Sequence, residues 1–145
     1  MSDVKIFRNS SDKPFAVFLE DLNQQIEAEG FSIHHRDKSD LVKFYQDLGV
    51  PMPEDYQHAM IQICKPQNSG KALPVNPERS VFVQKFIFVY SRGEKTEIRH
   101  LGYSADLIGE LLGHNEFNQG PSDDAFAERM EGTFATMDKI VKAAI

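Results

Sequence analysis

The stretch from Val81 to Tyr90 constrains the fold most, because apolar residues there occupy both parities. Successive side chains of a strand point to opposite faces. Read as the body of a long strand over 80–91, it sets Val81, Val83, Ile87 and Val89 on one side and Phe82, Phe86, Phe88 and Tyr90 on the other. A sheet with one wet face alternates apolar with polar instead. Both sides therefore need cover, and the ring-bearing side needs helices, a second subunit or a bound ligand. Left bare, four such rings make a patch of several hundred Å², rarely tolerated by monomers. At about 25 cal/mol per Å² its burial is worth on the order of 10 kcal/mol before association costs.

The flanking sequence supplies the rest of the sheet and its helices. Phe15, Phe18, Leu19, Leu22 and Ile26 recur at three- and four-residue steps between Pro14 and Gly30, which predicts a helix. Val4–Arg8 reads as a short edge strand before it and Phe31–His35 as a strand after it, a β-α-β start. Ser39 is the expected cap of a helix carrying Leu41, Val42, Phe44, Tyr45 and Leu48, stopped at Gly49. From Gln57 to Cys64 the period is two again: Ala59, Ile61 and Ile63 form the core set, and His58, Met60, Gln62 and Cys64 face away. Prolines 66, 74 and 77 leave room for at most two helical turns around Gln67–Leu73. Arg92-Gly93-Glu94-Lys95 reads as a hairpin turn into a strand over Thr96–Leu101. Ser104 caps a short helix, Asn115–Pro121 is a polar loop, and Ser122 caps a long helix striped with Phe126, Met130, Phe134, Met137 and Val141. These elements predict one α+β domain over residues 1–145. Its architecture is a two-layer sandwich, a mainly antiparallel four- to five-stranded sheet with helices packed on one face.

Composition narrows the partners. Sixteen Lys and Arg against 22 Asp and Glu give a formal charge of −6, which opposes a nucleic-acid or anionic-membrane partner held by bulk electrostatics. Only Lys85 and Arg99 fall near the rings, too few for a basic nucleic-acid platform. One cysteine and the absence of a signal-peptide pattern fit a reducing, cytoplasmic setting, and no apolar run reaches membrane-spanning length.

Several local sequences resemble the prokaryotic family called domain of unknown function 302. The carriers are Glu29-Gly30-Phe31, the run Ile61-Gln62-Ile63-Cys64-Lys65-Pro66 with Lys71-Ala72-Leu73, the Pro77 region, and Ile87-Phe88-Val89-Tyr90 entering a glycine hairpin. The resemblance spans about Phe15 to Ile145, and its Cys-x-Pro piece is the most specific. It implies a two-layer α+β domain, often dimeric, with no agreed activity. The family's common Leu-Pro-Cys sequence would fall near Val83-Gln84-Lys85, where neither Pro nor Cys stands. A mechanism that needs two thiols in one chain is thereby disfavoured.

Two candidate sites remain. Cys64 ends a strand and precedes Lys65 and Pro66, so the lysine charge and the first amides of a short helix both favour thiolate. Cys64 and Lys65 are the candidate catalytic pair, for sulfur transfer or thiol exchange, against a plain packing role for the thiol. Met60, Gln62, Phe82, Phe86, Phe88 and Tyr90 are the candidate walls of a surface for a small molecule, a partner protein or a second copy. His34, His58 and His100 fall on neighbouring strands, but no spacing characteristic of a metal site occurs; no metal or cofactor is expected. Asp123 and Asp124 read as solvated helix-start acids. The leading expectation is a non-enzymatic homodimeric binding domain, the alternative a thiol protein working through Cys64.

Overall fold

The computed structural model of the chain describes residues 3–113, 117 and 123–145. Strand β1 runs Val4–Ser11 and helix α1 Phe15–Ala28. Phe18, Leu22 and Ile26, one turn apart, are fully buried, and Gly30, at φ +86°, ends the helix in a conformation that glycine adopts without strain. Strand β2 is Ser32–His34 and helix α2 Leu41–Asp47. The cap of α2 is Asp40, whose carboxylate accepts from the Lys43 amide, and not Ser39, whose hydroxyl turns back to the Arg36 carbonyl. Strand β3 (His58–Cys64) leads into α3 (Pro66–Ala72), then α4 (Ser80–Val83), β4 (Lys85–Arg92), β5 (Lys95–Tyr103), α5 (Ala105–Leu112) and α6 (Asp124–Ala144). The expected cap Ser122 and the loop over 115–121, Phe117 apart, lie outside the described residues.

The five strands form one sheet in the order β1-β5-β4-β3-β2, with every pairing antiparallel. This is the expected α+β architecture. The β-α-β start puts β1 and β2 on opposite edges, so α1 crosses the sheet. One face carries Ala59, Ile61, Ile63, Ile87, Val89 and Ile98, all buried against α1 and against Phe134, Met137 and Val141 of α6. At Gly102 that packing reaches its closest approach: an added Cβ would lie 2.5 Å from a Phe7 ring carbon and 3.3 Å from Phe134 Cβ. Among the described residues no helix is long and apolar enough to cross a membrane.

The long strand expected over 80–91 is shorter. Residues 77–79 form a 3-10 turn capped by the Asn76 side chain, and Ser80–Val83 continue it as a helical turn. Arg79 is anchored there: its Nε donates to Asp123 Oδ1 at 2.7 Å, and Asn76 Nδ2 donates to Asp123 Oδ2 at 3.0 Å. These contacts override the strand preference of Val81 and Val83. Phe82 therefore lies in the core, edge-on to Tyr103, while Val81 is 72% exposed. Asp123 is no solvated helix-start acid; only 3% of it is exposed. Asp123→Ala leaves the Arg79 guanidinium buried without its partner, and equilibrium urea unfolding should show a loss of about 3–5 kcal/mol.

Candidate functional site

Pairing register decides what the helix-free face displays. Tyr90 lies opposite His58, Phe88 opposite Met60 and Phe86 opposite Gln62, while on the other flank Phe88 lies opposite Arg99 and Tyr90 opposite Glu97. All project away from the helices. Phe86, Phe88 and Tyr90 are only half-buried, and Ile6 and Leu101 beside them are exposed. Phe86 and Phe88 stack with centroids 6.2 Å apart, and the Arg99 guanidinium stands 5.5 Å over the Tyr90 ring. Arg99 also pairs with Glu97 at 3.0 Å; the Ser10 hydroxyl foremost, and Arg99 after it, hold the Glu97 carboxyl below its ordinary range. Of the six expected wall residues, Met60, Gln62, Phe86, Phe88 and Tyr90 share this face. Phe82 does not: the α4 turn sends it into the core.

β4 pairs with β5 only from Phe88 onward, so the sheet parts between Phe86 and Leu101. Phe82 and Tyr103 fill part of the gap, and a cleft of about 170 Å³ remains there, bordered by Phe86, Phe88 and Leu101.

Cys64 ends β3 with 2% of its surface exposed. Its Sγ lies 2.9 Å from His34 Nε2, and the Ser69 hydroxyl of α3 points at it from 3.7 Å. Antiparallel pairing of Ser32 with Cys64 and of His34 with Gln62 puts the imidazole diagonally beside the thiol. The sequence reading missed this partner, although period-two spacing in both strands put His34 and Cys64 on one face. Lys65, the other half of the expected pair, sets its ammonium 4.8 Å over the Phe31 ring.

Lys85 departs furthest from expectation. It lies opposite Ile63, so it projects to the helix side and not among the rings. Only 5% of it is exposed, and Nζ donates to the Val83 carbonyl at 2.6 Å. Burial lowers its ammonium to about 8; the Lys65 charge adds to that effect and Cys64 opposes it.

The three histidines diverge. His34 and His58 share the open face, whereas His100 is buried on the other, stacked 4.4 Å from Phe7, and no metal-binding cluster occurs among the described residues. No model of a known protein family matches the sequence, and no curated protein matches it. A solved structure does: that of an uncharacterized conserved DUF302 protein from Bacillus stearothermophilus, with a TM-score of 0.66 over 94% of this chain and 97% of that one. The chain has the DUF302 fold. At 15% identity the likeness is one of fold, and it matches the resemblance read from the Cys-x-Pro turn and its neighbours.

His100 gives the DUF302-like core a pH dependence. Its Nε2 has no hydrogen-bond partner among the described residues, and burial pushes the imidazole below 6.5, with the Leu101 carbonyl bonded to Nδ1 and then Asp138 opposing and Lys5 reinforcing that shift. Burial lowers His58 as well. The unfolded chain then binds more protons than the folded one near pH 6.5, so stability is full above that value and is lost as pH falls through it. Urea midpoints should drop between about pH 7.5 and 5.5, and His100→Gln should reduce the drop; the lowered carboxyls of Glu97 and Asp138 act only in more acid solution.

Proposed function

We propose that the protein is a homodimeric binding domain whose helix-free sheet face seats a second copy of itself. The observation that carries this reading is the half-exposed strip of Phe86, Phe88 and Tyr90, flanked by Met60, Leu101 and Ile6, on a face without helices. Strands about 4.8 Å apart, four of them seven to nine residues long and β2 three, present about 550 Å² in projection. With side-chain relief added, that is comparable with the roughly 800 Å² per partner of a standard interface. The charges on the face suit self-pairing, since Glu97 and Arg99 neutralise each other within one copy. A two-fold axis through the face would bring Phe88, its central ring, near its own symmetry mate.

Light scattering of the purified chain should give twice the monomer mass. Phe88→Arg should shift it to monomer with unchanged circular dichroism, a weakening of about 30-fold or more if Phe88 is a hot spot worth 2 kcal/mol. A wild-type chain that stays monomeric as concentration rises overturns the dimer. If that monomer also binds a hydrophobic dye that Phe88→Arg excludes, the cleft beside Phe86 holds a small molecule instead.

The Cys64–His34 contact supports a second reading, thiol exchange. His34 takes the thiol proton; the Cys64 thiolate attacks a partner's disulfide, forms a mixed disulfide and releases the partner's other sulfur as thiolate. With one cysteine in the chain, resolution requires a thiol from the partner. Iodoacetamide should then modify native Cys64 near neutral pH faster than the same residue in urea, and His34→Ala should remove that advantage. Modification no faster than in urea leaves Cys64 as a packing residue.

A further inference from the structure

On the helix side of the sheet, away from the proposed dimer face, α3 and α6 flank a partly open cavity of about 60 Å³ over the start of β4. Its polar lining is one-sided in charge. Lys65, Lys85 and Arg129 border it together with Asn68, Ser69 and Thr133, and no carboxylate does so among the described residues. No ion pair among those residues uses any of the three cations. In a chain with six more acids than bases, three cations border one cavity without a carboxylate among the described residues: Lys85 buried, Lys65 half-buried beside the Phe31 ring, and Arg129 exposed at the mouth. Lys85 bears most of the cost, since it is 95% out of solvent by its 5% exposure and one backbone carbonyl takes one of its three N–H donors. A buried charge without a counter-charge is expensive, and an anion seated against it relieves that cost.

We infer that this cavity is a binding site for a small oxyanion, the carboxylate or phosphate head of a small metabolite, held by Lys85, Lys65 and Arg129. The space suits a head group: about 60 Å³ exceeds several-fold the roughly 10–15 Å³ that seats one water molecule. Arg129 supplies a planar fork for paired oxygens, Lys85 a point charge at the floor, and Ser69 and Thr133 neutral hydroxyl donors. Phe31, Phe126 and Met130 make the rest of the wall apolar, which strengthens the contact at the Lys85 end, where the site is driest. The sign of the pH dependence follows. The anion favours protonated Lys85, so affinity falls as pH rises through about 8.

The test is titration of the full chain with sodium phosphate and, separately, sodium acetate at constant ionic strength, followed by amide chemical shifts in 15N-labelled protein. One of the two should saturate, with shifts confined to residues 65–69, 83–85 and 129–133; which one saturates identifies the head group. Lys85→Met and Arg129→Gln should each weaken binding tenfold or more. Arg129→Gln is the safer variant for folding, because its side chain is exposed and makes no ion pair among the described residues. Phe88→Arg, on the other face, should bind as wild type does, which separates failure of this site from failure of the dimer. The inference is overturned if neither anion saturates, if the shifts scatter over the surface, or if both variants bind like the parent chain.

Discussion

The structure turns on the buried node in which Asp123 accepts from Arg79 and Asn76. It joins the corner after α3 to the start of α6 across more than 40 residues of chain, and it holds 77–83 helical where the side chains alone favour an extended run. Everything downstream takes its position from that corner. Because β4 begins only at Lys85, the parity of the strand sends Ile87 and Val89 to the core and Phe86, Phe88 and Tyr90 outward. Because the corner coils, Val83 and Phe82 turn inward and border the oxyanion cavity and the cleft between β4 and β5. A buried ion pair adds little net stability over a hydrophobic replacement, but it is costly to break, and here that cost fixes the corner's geometry.

Most of the sheet was legible because its information is local. Period two in β3 marked its core set, and in the second half of β4 it separated the aliphatic from the ring-bearing side without saying which meets the helices, while the three- and four-residue steps in α1 and α6 marked the faces that cover the sheet. The extended reading of 80–84 failed because Val81-Phe82-Val83 is a good strand sequence, and its conformation is set by Asp123, a residue about 40 positions away that pattern cannot reach. Lys85, read as lying near the rings, sits opposite Ile63 on the helix side, where its shared parity with Ile87 and Val89 already put it.

The candidate site was legible in part. Cys64 stood out by type and by its place before Pro66, and the outward set Met60, Gln62, Phe86, Phe88 and Tyr90 followed from parity. What the sequence withheld was partnership: that His34 sits diagonally across a strand pair from the thiol, and that Lys65, Lys85 and Arg129, from three separate elements, border one cavity. Such groupings depend on register and on helix placement, which no single segment encodes. The two proposed surfaces consequently lie back to back, an aromatic one on the outer face of the sheet and a cationic one between α3 and α6.

The sheet's rims carry a consequence for how copies can join. β2 has only three residues, and beyond it the Ser39–Asp40 backbone occupies the rim of β3, with the Met60 amide bonded to the Ser39 carbonyl. The other rim, β1, carries Lys5 and Arg8 along its length. Neither border offers a long neutral row of free amides, so strand-by-strand growth into a filament is blocked on both sides. Contact through the flat of the sheet uses up that surface in a single encounter, and assembly of that kind is closed, not open-ended.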